Sequence, residues 1–249
     1  MEKNEDVCLI FEEEEDLENK VHDTLARHAR FWRDSSATDF AVSVVEKGYV
    51  PQMWENPQNY EEKNNGSYRE EKAWANEAVF KLAKAKLVRE VDRWSLCCVN
   101  PLTVAKNARG KKQLCIDFSR CVNKVIKAPK FKIESTMAAL QVIEKGDYCF
   151  SFDLKSAYLQ VKHNENFLQY FGFAVNLEEG SRRYFQYLNL PFGLNDACRV
   201  LTKLLRSPLD RWRRIGIRVF IHVDDGFGIV KGRDNAVRAS NKVRSDLAC

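Results

Sequence analysis

Apolar residues at positions 17, 21, 25, 28/29 and 32 recur at nearly helical spacing and predict a helix over residues 17–32. A second helix is predicted over residues 38–47, where Gly48 supplies the stop. Residues 51–68 lose the periodicity: two prolines, several asparagines and the step Asn65-Gly66 are turn formers and predict a linker. Helical spacing returns over residues 70–91, with Trp74, Ala78, Leu82 and Ala85 on one stripe and lysines elsewhere.

The pattern then becomes strand-like. Residues 95–105 and 113–118 are β-rich runs, and the basic stretch between them carries Gly110, which fits a hairpin with a cationic tip of Lys106, Arg109, Lys111 and Lys112. Beyond it the sequence predicts a helix over residues 135–145 ended by Gly146, a strand over 148–154, strands over 170–176 and 183–188, and a helix over 195–213. A strand-turn-strand over 217–230 and a last helix complete the chain. Helices and antiparallel hairpins that do not alternate as βαβ units predict an α+β fold, and 249 residues with 45% apolar content suffice for a real core.

Charge divides the chain. Residues 1–20 hold nine acidic and two basic side chains, so an overall charge of +5 leaves +12 on the remainder. The first twenty residues are expected to be an acidic, mobile leader, residues 21–94 a helical extension, and residues 95–249 the main domain. A basic body suits a polyanionic partner. Eight cysteines without a CxxC pair read as reduced thiols, no apolar stretch reaches membrane-spanning length, and the acidic start is unlike a secretory signal, so an intracellular protein is expected.

Two local patterns carry candidate chemistry. Tyr148-Cys-Phe-Ser-Phe-Asp153 alternates and ends in an acid, and Arg218 to Val230 consists of two apolar runs around Asp224-Asp225-Gly226, a hairpin with acids at its tip. Taken singly, an Asp-Gly tip is a solvated turn and a strand-end aspartate a cap. If the three acids meet, their repulsion calls for cations, and hard Mg²⁺ is the natural partner. A pair of such ions roughly 3.5–4 Å apart is the arrangement that serves phosphoryl transfer. His163 and His222 show no partner pattern and are read as structural.

Cys149-Phe-Ser-Phe-Asp153-Leu-Lys-Ser-Ala-Tyr158, Leu190-Pro-Phe-Gly-Leu194 and Val223-Asp224-Asp225, in that order, resemble motifs A, B and C of reverse transcriptases. Val104-Ala-Lys106, Gln113-Leu-Cys-Ile-Asp117-Phe and Val122-Asn123 resemble the fingers hairpin of that family, which extends the likeness to about residues 95–249. Phe31-Trp32 and Gly48-Tyr-Val-Pro51 look most like DIRS-like tyrosine-recombinase retrotransposons, with gypsy-like elements second.

The resemblance implies the fingers and palm of a right-hand polymerase, an antiparallel sheet packed on helices, with the chain ending before a thumb or ribonuclease H module. It implies two magnesium ions, or manganese in their place, held by Asp153 and Asp224, with the Leu154 carbonyl as a further ligand and Asp225 as the lesser acid. Tyr158 matches a steric gate against the ribose 2′-hydroxyl, with a plain core tyrosine as the alternative, and RNA-dependent RNA polymerases typically carry an acid at that offset and Gly where Val223 stands. Phe192 and Gly193 match the loop that packs the templating base and incoming nucleotide. Lys106, Lys112 and Gln113 match positions over the triphosphate, although the family usually has Arg where Gln113 stands, a loss of a bidentate phosphate donor. The basic hairpin tip is otherwise a solvated lysine loop. Lys203, Arg206, Arg211, Arg213 and Arg214, with Trp212 among them, either track a template backbone or form a solvated face. The expected partners are an RNA or DNA template with primer, and deoxynucleoside triphosphates. Two functions stand: an RNA-directed DNA polymerase, or an inactive remnant that at most binds nucleic acid.

Overall fold

The computed structural model describes residues 24–34, 37–108, 110–178 and 180–247. The fold is mixed α+β, with three sheets and helices around one main core. Helices Thr24–Arg27, Ala29–Asp34 and Asp39–Lys47 come first. Thr38 caps the third by accepting from the Ala41 N–H at 3.3 Å, and Gly48 closes it. The predicted helix over residues 17–32 is thus found only in part, and residues 17–23 lie outside the described residues.

The predicted linker over residues 51–68 is packed rather than loose. Strand β1 (Tyr60–Glu61) joins a sheet, Tyr68 is fully buried, and the Asn64 amide holds the Ala174 carbonyl at 2.8 Å while its oxygen accepts from the Leu102 N–H at 2.9 Å. The turn-forming side chains satisfy backbone groups of neighbouring strands, which composition alone does not reveal. The helix predicted over residues 70–91 is two helices, Gly66–Glu70 and Lys72–Lys84, followed by strand β2 (Val88–Val91).

The predicted strand over residues 95–105 is divided at Pro101 into β3 (Cys98–Asn100) and β4 (Leu102–Lys106), which lie in different sheets. Strand β5 (Lys112–Ile116) pairs antiparallel with β4, as the hairpin reading expects. The helix predicted over residues 135–145 is only Thr136–Leu140, capped by Ser135. Its expected second half is a turn into β6 (Asp147–Asp153), where the Asp147 carboxylate accepts from the Glu144 N–H at 2.6 Å.

Strands β7 (Gly172–Asn176) and β8 (Arg182–Tyr187) form a hairpin in a five-stranded sheet of order β1-β3-β7-β8-β2, parallel from β1 through β3 to β7 and antiparallel beyond. Strands β9 (Arg218–His222) and β10 (Asp225–Lys231) make a second, wholly antiparallel sheet of order β6-β10-β9. Helix Ala197–Arg214 buries Val200, Leu204 and Trp212, and helix Arg233–Leu247 buries Ala236, Ala239 and Val243 against β10 and β6. Among the described residues no helix is long and apolar enough to cross a membrane.

Candidate active site

The β9–β10 turn has two central residues, Val223 and Asp224, because His222 and Asp225 are cross-strand partners. Val223 takes φ +63°, the left-handed region that a β-branched side chain rarely enters and that glycine normally fills at the first position of such a turn. The strained tip lies directly beside β6: Asp225 is the cross-strand partner of Asp153, and the Leu154 N–H donates to the Asp224 carbonyl at 2.9 Å. The backbone therefore brings all three acids to one sheet edge, and all three are exposed. As their side chains stand, no three acidic, histidine or cysteine groups among the described residues are close enough to share a metal ion. Burial, then the charges of Asp224 and Asp225, push the Asp153 carboxyl above its ordinary pKa, opposed by the Leu154 N–H.

The other face of this sheet fixes the platform. Gly226 opposes Phe152 and Gly228 opposes Phe150, and a Cβ on either glycine would lie 2.1 or 2.2 Å from the facing ring. Both rings fold over the glycine strand, and Phe152 meets the Trp212 ring edge-on at 6.0 Å. Trp212 is fully buried, with its indole N–H donating to Asp246 at 2.9 Å. The Asp-Gly-Phe-Gly run is thus a hairpin signal and also a cavity for two phenylalanines some 75 residues earlier, which the sequence did not disclose.

Tyr158 follows β6 in a 3₁₀ turn, Ala157–Gln160, and is buried. Its ring meets Phe192 edge-on at 5.1 Å, and its hydroxyl lies 2.9 Å from the Cys198 sulfur. Burial, then Cys198 and the charge of Asp224, raise its pKa. Gly193 takes φ +102°, and a Cβ there would sit 2.3 Å from the Ile116 carbonyl oxygen, so only glycine lets this loop press on the end of β5. The Asn123 amide donates to the Gly193 carbonyl at 2.8 Å, and its oxygen accepts from the Asn195 N–H at 3.0 Å. Asn123 is a clamp whose role the sequence reading missed, although Val122-Asn123 was among the residues carrying the resemblance.

A family model for reverse transcriptase (RNA-dependent DNA polymerase) matches residues 102–248. The chain belongs to the reverse transcriptase family. No curated protein matches it. Nucleic acid template and primer, with deoxynucleotide substrates, are what this family implies.

In this reverse transcriptase domain two lysines of the basic hairpin share one carboxylate. Lys106 and Lys112 are cross-strand partners, and both reach Glu71, at 2.5 and 2.6 Å. Those two contacts hold the Glu71 carboxyl below its usual range and raise Lys106. Lys112 also lies 5.8 Å from the Trp74 ring centre. Gln113 and Lys111 are exposed, and Arg109 is outside the described residues.

Of the helix after motif B, Trp212 is buried and so faces no nucleic acid, Arg213 is held by Glu134 and the Val219 carbonyl, and Lys203 and Arg211 lie over the Phe40 and Phe31 rings. Arg206, Arg211, Arg213 and Arg214 are exposed. His163 is buried against the Phe171 ring at 4.0 Å, where desolvation lowers its pKa to about 3, and it remains structural as expected.

Proposed function

We propose that the chain is an RNA-directed DNA polymerase that extends a primer 3′-hydroxyl with deoxynucleotides at the edge formed by Asp153, Asp224 and Asp225. The observation that carries this reading is the β6–β10 register, which makes Asp153 and Asp225 neighbours with Asp224 in the adjoining turn. The three acids suit hard divalent cations: they offer only oxygen, the Leu154 carbonyl adds another donor, and the raised pKa of Asp153 marks a place where positive charge is wanted. Magnesium bound there would acidify the primer hydroxyl and neutralise the triphosphate and departing pyrophosphate.

The chain's own part is positioning. Tyr158, braced by Phe192, would exclude a ribose 2′-hydroxyl, and the loop of Gly193, packed on Ile116, would support the nascent base pair. Lys106 and Lys112 supply charge toward the triphosphate once released from Glu71. In this reading the β4–β5 hairpin with the five-stranded sheet forms the fingers and the β6-β10-β9 sheet the palm. The Phe31-Trp32 and Gly48-to-Pro51 resemblance assigns the chain to a DIRS-like or gypsy-like retroelement.

Primer extension on an RNA template with Mg²⁺ and deoxynucleotides tests the proposal. Asp224→Asn should lower the rate about a thousandfold, the scale on which removing one preorganised charge-stabilising group acts. Tyr158→Ala should keep extension and admit ribonucleotides. Extension that survives Asp224→Asn would remove the site, and absence of extension in the parent chain would leave a nucleic-acid-binding remnant.

A further inference from the structure

Several surface arginines are paired: Arg93 and Arg182 with Glu61, Arg120 with Glu62, Arg183 with Glu90, Arg213 with Glu134 and Arg218 with Asp147. One lysine stretch has no such partners. From Lys124 to Ile133 the sequence holds four lysines and no acid, and Lys124, Lys130 and Lys132 are exposed. None of the four lysines has a carboxylate partner among the described residues.

Against this stretch lies Trp54, whose side chain is 74% exposed although its backbone is fixed. The Trp54 N–H donates to the Val125 carbonyl at 2.8 Å, and the Lys127 N–H donates to the Gln52 carbonyl at 2.8 Å, around an antiparallel bridge between Met53 and Ile126. Lys127 covers one side of the indole, its ammonium 4.2 Å from the ring centre. An open ring face beside these cations costs apolar exposure that no packing among the described residues explains.

We propose that Trp54, with Lys124, Lys127, Lys130 and Lys132, is a docking platform for an unpaired nucleic-acid strand, one base stacking on the free indole face while the lysines take its phosphates. Its position connects it to the site already described, because Asn123, the residue before the first of these lysines, holds the Gly193 carbonyl. Trp54 also lies outside residues 102–248, so the platform joins the family-matched part of the chain to a segment preceding it. The ligand class rests on the polymerase reading, but the binding does not require catalysis. A flat ring favours single strands over duplex, where base faces are hidden, and the lysine run favours a polyanion over an apolar partner.

Anisotropy titration of the full chain with a labelled twenty-nucleotide oligothymidylate, and with a blunt duplex of equal length, tests this. Trp54→Ala should weaken single-strand binding about tenfold and duplex binding less than twofold, while Trp54→Phe keeps most of the affinity. Replacing Lys130 and Lys132 together by Ala should reduce the slope of log affinity against log salt by about 1.4, at roughly 0.7 per single-strand phosphate contact. Trp94→Ala is the control, because Trp94 is 93% exposed but stands in the 3₁₀ turn Arg93–Ser95 after Asp92, outside the lysine run. Equal effects of Trp54→Ala and Trp94→Ala, equal losses for single strand and duplex, or no single-strand binding by the parent chain would each overturn the platform. A chain that binds through Trp54 yet never extends a primer would sink the polymerase reading alone.

Discussion

Asp153 has a higher proton affinity in the fold than in the free chain, because it is partly desolvated and faces Asp224 and Asp225. A carboxyl whose pKa is raised by folding binds more protons folded than unfolded, so stability falls as pH climbs above the ordinary carboxylate range and levels off above the folded pKa. Asp153→Asn should therefore raise the melting temperature at pH 7 in EDTA by a degree or two, since an exposed, screened group contributes under about 1 kcal/mol. The gain should shrink as pH falls through the carboxylate range and the native carboxyl takes up its proton, and turn into a relative loss with excess Mg²⁺, which parallel thermal melts would read. That these acids belong together was legible through the likeness to motifs A and C, because the local signals put Asp153 at a strand end and Asp224 and Asp225 at a hairpin tip but left open whether the two meet. The arrangement of Tyr158 was legible only as a likeness: its contact with Cys198, forty residues on, has no local signature.

Among the elements, the hairpin of β9 and β10 was the clearest in the sequence, and its glycines were the least understood. Phe152 is confined by Trp212 on one side and Phe150 on the other, so it cannot swing away from a methyl group at position 226. Gly226→Ala should destabilise by about 1–3 kcal/mol in urea melts, the usual cost of overpacking. Combining it with Phe152→Leu should recover part of the loss, and strict additivity of the two changes would disprove the collision. Helices with long amphipathic stripes, such as Ala197–Arg214, were found nearly to the residue, whereas residues 141–145, with Val142 and Ile143, were assigned to a helix. Both are exposed in a turn that Asp147 organises. Strand 95–105 was read as continuous because periodicity does not register that Pro101 sends the chain into a second sheet.

For the molecule as a whole, the decisive contact joins the segment before the family match to the matched part. The Tyr49 hydroxyl donates to Asp196, which also receives two bonds from Arg199 at 2.5 and 2.6 Å, and all three residues are buried. Asp196→Ala would leave the Arg199 charge without its partner and should cost about 3–5 kcal/mol in chemical denaturation. Tyr49→Phe should cost about 1–2 kcal/mol, since it removes one bond to a charged acceptor. Composition marked residues before 95 as a separate extension because nothing local announces a partner 147 positions away. The same separation sets an order of events during synthesis. At roughly 5–20 residues per second, Tyr49 waits on the order of ten to thirty seconds for Asp196 to leave the ribosome. Strand β1 waits for β3, and β3 for β7, so the first half of this protein must be shielded from other chains until most of the second half has been made.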